Sequence, residues 1–233
     1  MTVPDAEYSF DTDGSDQSGN GHDFVGGVIG AGHTAGGLIS SLSLGGWAAL
    51  HACTIMAWCK PSVLTGNALA FGFLDGSLGA SSNSEFTVWY SRSSFGPAGV
   101  VQGNVRADSG LSAVGGTALT LNEWIHLAFA WDGANARMIQ DGVTKGSQAK
   151  TGSTPGSLTL SAWAANGPID DLRVFLGVSL TDEEIIDYMN LPVGYVPSED
   201  PSWSLWDGSS EIPLSVTVWD GSSELVPGSI GVV

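Results

Sequence analysis

The sequence predicts an all-β protein built as a sandwich of sheets, and residues 122–142 give the main reason. This segment is two strands around a turn, and residues 124–131 alternate so regularly that both faces of the first strand are largely apolar. Such a strand requires another layer over each face. The pairs Asp132-Gly133 and Asp141-Gly142 mark turns after the two strands. The 33 glycines and the 13% of charged residues are also typical of turn-rich β proteins.

Other strands are predicted from short apolar stretches between turn residues. Residues 26–50 are rich in Gly and Ser and indicate short strands joined by tight turns. The polar stretch 144–157 indicates a loop. The remaining predicted strands are residues 8–10, 54–60, 68–74, 85–92, 100–107, 116–121, 158–163 and 169–177.

One short helix is predicted late in the chain. Thr181 is a suitable N-cap, and Glu184 three residues later completes a capping box. The helix should continue to about Met189 and end near Pro192, because proline cannot continue a helix. We expect it to lie at the edge of the sandwich.

The charge balance excludes several classes of partner. Seven Lys and Arg stand against 24 Asp and Glu, a formal net charge of −17. Nucleic acids and anionic membrane surfaces need basic patches, so we expect neither as a partner. The acidity fits either simple solubility or calcium binding, since hard cations prefer oxygen ligands.

The two cysteines, Cys53 and Cys59, are predicted to be buried thiols. Their even spacing places both on one face of one strand, roughly 20 Å apart, which is beyond the reach of a disulfide. No apolar run approaches the length of a membrane span, so membrane insertion is not expected. Residues 1–5 do not resemble a signal peptide, and we do not expect secretion by the usual route.

The composition changes after residue 195. The sequence WDGSSE occurs at 206–211 and again at 219–224, and each copy predicts a small β-hairpin around an Asp-Gly turn. Two such hairpins bury little by themselves and need a neighbour. We therefore predict a large domain, residues 1–195, followed by a docking or assembly appendage, residues 196–233.

Four segments resemble the laminin-G-like branch of the concanavalin A-like jelly rolls. They are YSFDTDGSDQSGNGHD, CTIMAWCKP, NEWIHLAFAWDGANARMIQDG and IDDLRVFLGVSLTDEEIIDYM, in the order and spacing of the family, over roughly residues 7–191. The resemblance implies a jelly-roll sandwich of two antiparallel sheets, with the first strand beside the IDDLRVF strand. The fold hosts lectins, adhesion modules, enzymes and virion parts, so it leaves the function open. Separately, the WDGSSE repeats resemble the Trp-Gly hairpin repeats that end minor tail proteins of phages infecting actinobacteria.

The family resemblance also implies one structural calcium ion. The matching positions are Asp16 and Asn20 in the acidic loop and Asp170 on the later strand. Asp170 lies two and four residues before Leu172 and Val174, so on a regular strand its side chain should point to the same apolar face. A carboxylate buried there needs a metal or hydrogen bonds. The alternative is that Asp170 accepts backbone N–H bonds and the loop is only a turn.

Aromatic residues near loops are the candidates for ligand binding. Trp89 and Tyr90 are adjacent and face opposite ways, so one of them can stack on a sugar. Arg92 can hydrogen-bond a glycan hydroxyl, and Trp163 is a second candidate platform. The alternative is that these aromatics belong to the core, as predicted for Trp58, Trp124 and Trp131.

Catalysis has little support in the sequence. There is no H-E-x-x-H, no G-x-S-x-G, and no array of carboxylates on one strand. His126 shares the parity of Trp124 and is predicted to be a satisfied core histidine. We therefore expect a protein that is not an enzyme.

Two functions from different classes remain. The first is a structural protein of a bacteriophage virion, on the tail or the capsid surface, released by lysis. It would display a lectin-like domain to host-surface glycans, join other virion proteins through its C-terminal repeat, and form a homo-oligomer. The second is a free carbohydrate-binding module or an accessory domain of a glycan-active protein. A decoration protein without any ligand is a third possibility.

Overall fold

The structure is a computed structural model. The residues it describes are 2–11, 13–24, 29–30, 33–34, 39–44, 52–74, 85–92, 96–107, 110–152, 158–163 and 166–194. The chain divides into two units, Met1–Val196 and Pro197–Val233. The predicted C-terminal hairpin repeat falls in the second unit, which lies outside the described residues.

The described part of the chain is built mainly from strands with one helix. The strands are β1 (Ala6–Tyr8), β2 (Ile29–Gly30), β3 (His33–Thr34), β4 (Ile39–Leu44), β5 (Cys53–Cys59), β6 (Asn67–Leu74), β7 (Glu85–Arg92), β8 (Val100–Ala107), β9 (Gly110–Ala118), β10 (Ile125–Trp131), β11 (Asn135–Gln140), β12 (Val143–Ala149), β13 (Leu158–Ala162) and β14 (Ile169–Leu176). The helix, α1, is Asp182–Met189.

Two antiparallel sheets form the sandwich. Sheet 1 has the strand order β1-β14-β5-β10-β11-β12, and sheet 2 has the order β4-β13-β6-β7-β8-β9. A small ribbon joins β2 to β3. Ala6 of β1 is paired with Val174 of β14, as the jelly-roll resemblance implies. The predicted all-β fold, with two antiparallel sheets and one short helix, is confirmed.

Strand β10 lies inside the molecule, as its alternation predicts. It pairs with β5 on one side and β11 on the other, so its backbone groups are bonded along both edges. Leu127, Phe129 and Trp131 point into the core between the sheets. Ala128 and Ala130 point the other way, into a smaller cluster under the helix. Each face of the strand therefore has its own covering layer.

The main core lies between the inner faces of the two sheets. Phe86 of sheet 2 meets Phe129 of sheet 1 with ring centroids 4.7 Å apart. Cys53 and Cys59 line the same core from β5, buried and, in the described part of the chain, without a disulfide partner. Further core residues are Tyr8, Ile55, Ala57, Phe71, Phe73, Val88, Tyr90, Val101, Val105, Val114, Met138, Leu160, Leu172 and Val174.

Helix α1 has the predicted cap but not the predicted position. The Thr181 hydroxyl accepts from the Glu184 N–H at 3.2 Å, and the Glu184 carboxylate accepts from the Thr181 N–H at 2.8 Å. Ile185 and Tyr188 pack on the outer face of sheet 1, so the helix covers that face rather than the edge of the sandwich. Where helix α1 lies, the fold therefore has three layers: the helix, sheet 1 and sheet 2.

Several local predictions were wrong. A strand was predicted at 116–121, but the observed strand β9 is Gly110–Ala118. Trp58 was assigned to the core, but it is half-buried on the outer face of sheet 1, opposite His126. Residues 144–157 were predicted as a loop, but they begin within β12, an edge strand whose side chains are mostly exposed and polar. Trp124 was assigned to the core, but its side chain is 42% exposed because it precedes β10 rather than lying within it.

Candidate functional site

Aromatic side chains gather on the outer face of sheet 2. Leu69 on β6 and Trp89 on β7 are neighbours in the strand register, and Trp163 beyond β13 packs against them. Trp89 is 9% exposed and Trp163 is half-buried. Leu69, Trp89 and Trp163 form what we call the outer tryptophan cluster. It brings together two of the residues predicted to contact a ligand.

Arg92 lies on this cluster. Its guanidinium carbon is 4.7 Å from the centroid of the Trp89 ring, within cation–π distance. Asn104, in the amide orientation that satisfies its neighbours, accepts from Trp89 Nε1 at 3.0 Å and from Arg92 Nη1 at 3.2 Å. The indole N–H also donates to the Thr87 hydroxyl at 2.8 Å. These contacts fix the indole and the guanidinium relative to each other.

The Gln102 amide lies beside the same cluster. Gln102 is directly opposite Trp89 on the neighbouring strand and is 2% exposed. Neither its amide oxygen nor its amide nitrogen has a hydrogen-bond partner among the described residues. A Cβ at Gly96 would lie 2.3 Å from the Gln102 nitrogen, so the backbone at residue 96 covers the amide closely. Sequence reasoning missed this residue, because a single Gln on a strand has no pattern of its own.

Tyr90 cannot belong to this surface. Its side chain is fully buried in the core between the sheets, on the opposite side of β7 from Trp89. Burial raises the pKa of Tyr90 well above its usual range. Of the four predicted ligand-binding residues, Trp89, Arg92 and Trp163 are together, and Tyr90 is corrected to a core position.

The carboxylate of Asp16, a predicted calcium ligand, already accepts hydrogen bonds from its own loop and from β1. Its Oδ1 accepts from the backbone N–H groups of Glu7 and Ser18, both at 3.0 Å. Its Oδ2 accepts from the Ser18 hydroxyl and the His22 N–H, both at 2.9 Å. Burial opposes ionisation, but these hydrogen bonds outweigh it and hold the pKa of Asp16 below its usual value. Asp16 therefore orders the acidic loop against β1.

Asp170 faces the other way from its predicted direction. In the pairing of β14 with β5, Asp170 is opposite Trp58 and Arg173 is opposite Met56, so β14 has one residue more than β5 between these pairs. Asp171, with φ 48°, is the extra residue of this β-bulge. The bulge reverses the alternation, so Asp170 lies on the outer face of sheet 1 with Trp58. Leu172, by contrast, points into the core. Burial, followed by repulsion from the Asp171 carboxylate, raises the pKa of Asp170 to about 7.

The three predicted calcium ligands do not form a ready metal site. The Asn20 side-chain amide donates to the Asp5 carbonyl at 3.0 Å, and Asp16 is saturated by protein donors. Among the described residues, no group of three or more His, Cys, Asp and Glu is arranged to hold a metal ion. The residues as they lie do not fit a calcium ion, and calcium stays a prediction for experiment.

His126 departs from the prediction of a satisfied core histidine. Its side chain is fully buried on the outer face of sheet 1, and its ring lies 5.4 Å from the Trp58 ring, nearly edge-on. Neither ring nitrogen has a hydrogen-bond partner among the described residues. Burial and the positive charge of Arg173 lower the pKa of His126 to about 3, so the imidazole is neutral.

The described residues contain no helix that is both long and apolar enough to cross a membrane.

Comparison with known proteins identifies the fold family. The family model for the concanavalin A-like lectin/glucanases superfamily, in its laminin-G-like form, matches residues 34–186. No curated protein sequence matches the chain.

Solved structures share the fold at low identity. Domain 4 of AbnA, an extracellular arabinanase from Geobacillus stearothermophilus solved with arabinotriose, is 23% identical, with a TM-score of 0.56 over 78% of this chain and 96% of that one. The binding domain of botulinum neurotoxin serotype D is 14% identical, with a TM-score of 0.59 over 80% of this chain and 50% of that one. The botulinum neurotoxin DC binding domain, solved with SialylT, is 12% identical, with a TM-score of 0.55 over 81% and 51%.

Proposed function

The chain belongs to the concanavalin A-like lectin/glucanase superfamily, and we propose that it is a non-catalytic glycan-binding protein. Its binding surface is the outer face of sheet 2, around the outer tryptophan cluster. Trp163 supplies the stacking platform, and Arg92 and Gln102 supply hydrogen bonds to sugar hydroxyls.

The observation that carries this proposal is the fixed Trp89–Arg92 pair beside the Gln102 amide, to which no described residue is hydrogen-bonded. Sugars present apolar C–H faces and rows of hydroxyls, so a site for them combines aromatic rings with polar groups held in place. Here Asn104 holds both the indole and the guanidinium. The Gln102 amide retains one acceptor and two donors that no described residue meets.

The charge of the chain favours neutral glycans. A net charge of −17 repels polyanionic polysaccharides. Two of the structural relatives were solved with sugars, arabinotriose and SialylT, which supports testing both kinds of ligand.

The test is calorimetric titration of the full chain with arabinotriose, xylotriose, cellotriose and sialyllactose. We expect saturable binding of a neutral trisaccharide, weakened at least about tenfold by Trp163→Ala, the order of magnitude of a lost aromatic contact. Leu121→Ala is the matched control, because Leu121 is an apolar side chain that is 47% exposed. Binding that is absent for all four sugars, or equal in both variants, contradicts the proposal.

A second candidate function rests on the duplicated WDGSSE sequence at 206–211 and 219–224. We propose that this repeat attaches the glycan-binding domain to a bacteriophage particle, as part of its tail or capsid surface. The protein would then sediment with particles in the lysate of its source, and deletion of residues 196–233 would release a folded domain into the soluble fraction. A full-length protein that remains at the top of the gradient contradicts the attachment and leaves the free carbohydrate-binding module.

A further inference from the structure

We propose that the chain carries a second saccharide-binding site on the opposite side of the sandwich, formed by Trp58, His126 and Asp170 on the outer face of sheet 1. This site is independent of the outer tryptophan cluster and does not require that surface to bind. We call these three residues the outer row.

The strand register assembles the outer row. His126 of β10 is directly opposite Trp58 of β5, and Trp58 is directly opposite Asp170 of β14. Side chains of directly opposite residues share a face and stand about 5 Å apart at Cβ. The bulge at Asp171 is what turns the Asp170 carboxylate to this face. An indole is thus placed between an imidazole and a carboxyl group.

The outer row lies beside the apolar cluster that helix α1 covers. That cluster includes Met56, Ala128 and Phe175 but not Trp58. Trp58 and Asp170 are both half-buried, so each presents part of its side chain to solvent. His126 is fully buried, and its ring packs edge-on against the Trp58 ring. The row is therefore a shallow polar and aromatic surface that includes one buried imidazole.

Several polar atoms of the outer row have no hydrogen-bond partner in the part of the chain that the structure describes. A neutral imidazole offers one donor and one acceptor, and both His126 nitrogens are unmet among the described residues. Leaving a buried polar atom unmet costs about 1–3 kcal/mol, so a group that supplies partners binds there with a gain. Asp170 Oδ1 accepts from the Asp171 N–H at 3.0 Å, and the described residues supply no donor to Oδ2. Because the imidazole is fully buried and packed against Trp58, binding to it requires the indole to turn outward.

These features select a neutral saccharide among small ligands. An anion is repelled by Asp170 and by the nearby Asp171 and Asp11 carboxylates. An organic cation suits the indole and the carboxylate but offers no acceptor to the imidazole donor. Vicinal hydroxyls supply both donors and acceptors, and the C–H face of a sugar ring packs on an indole.

The experiment is a nuclear magnetic resonance titration of the full chain, following the indole N–H of Trp58 and the imidazole signals of His126. The probes are arabinotriose, xylotriose and cellotriose, with tetramethylammonium as the cation control. We expect one of the sugars to shift both signals along the same saturation curve. Asp170→Asn should weaken that curve at least about tenfold, the loss of a hydrogen bond to a charged group, while Trp163→Ala leaves it unchanged.

Each alternative result has a definite meaning. If the sugars move the Trp89 and Trp163 indoles but not Trp58 and His126, the proposed function stands and the second site is overturned. If the outer row responds while the Trp163 indole does not, the second site stands and the first surface fails. A response to tetramethylammonium alone, or no response at all, overturns the second site. Trp58→Phe, which keeps an aromatic ring in the row, separates lost binding from lost folding.

Discussion

Arg173 donates from Nε to the Glu7 carboxylate across 2.6 Å, and this ion pair is almost completely buried, with side-chain exposures of 1% and 5%. The same guanidinium donates to the Tyr188 carbonyl at 2.7 Å and the Leu191 carbonyl at 2.6 Å. One side chain of β14 therefore joins the first strand to the C-terminal end of helix α1. The two hydrogen bonds from the guanidinium to these carbonyls hold the third layer of the fold on sheet 1.

Removing one partner of this pair should be costly. Glu7→Gln leaves a buried guanidinium without its counter-charge, and we expect a loss of about 3–5 kcal/mol in the free energy of unfolding. Urea denaturation measures this loss. Glu123→Gln is the control, because Glu123 is exposed. Equal stability of the two variants would show that Arg173 is satisfied by the carbonyls alone.

The close approach of the two sheets predicts a glycine requirement on β8. A Cβ at Gly103 would lie 2.2 Å from Phe129 Cδ2, so Gly103→Ala should overpack the core and cost about 1–3 kcal/mol. Gly115→Ala on β9 is the matched control, since no described residue lies within 4 Å of its added Cβ. Thermal and urea unfolding of both variants test this, and a similar loss in both would contradict the packing at Phe129.

The environment of Asp170 predicts a pH dependence of stability. Its pKa is raised from 3.8 to about 7, so the folded state holds the proton more tightly and stability rises as the pH falls through that interval. Asp170→Asn removes the buried charge. The variant should exceed the wild type in melting temperature near pH 8, and the difference should shrink toward about pH 5. A difference that is constant with pH would place the carboxylate in solvent.

Calcium, if bound through Asp170, should raise the melting temperature and should be detected by elemental analysis after dialysis. Asp170→Asn should then abolish both effects. Asp16→Asn is the less informative variant, because Asp16 orders its loop with four hydrogen bonds whether or not an ion is present. A folded sample that contains no calcium and melts equally with a chelator would end the prediction.

The two thiols should be unreactive in the folded protein. Cys53 and Cys59 are fully buried, and burial raises the pKa of Cys59 to about 12, so almost no thiolate is present. A thiol-specific reagent should label both only after unfolding in denaturant. Rapid labelling of the native chain would mean that β5 opens locally.

Much of the fold was predictable because its central elements follow strong local rules. Strand β10 is apolar on both faces, and helix α1 begins with a complete capping box. Strand β12 was missed because it is an edge strand with polar, exposed side chains, and apolar alternation is absent there.

The candidate sites were less predictable, because they depend on contacts between distant strands. Trp89 and Trp163 meet through the register of sheet 2, and nothing local to either residue indicates it. The direction of Asp170 depends on a bulge, which shifts alternation by one residue without a clear trace in the sequence. His126 was expected to be a satisfied core histidine. Its ring nitrogens have no hydrogen-bond partner among the described residues, which depends on the side chains that neighbouring strands place around it.

The hydrogen bonds of the Arg173 guanidinium affect how this domain can be joined to other domains. Glu7 and Leu191 are held by the same guanidinium, so the incoming and outgoing segments of the domain lie side by side. A domain whose two ends are adjacent can be inserted into a surface loop of a host protein without pulling the host apart. The same proximity permits circular permutation: a short peptide could bridge the two segments while new termini open at a turn such as Asp132-Gly133.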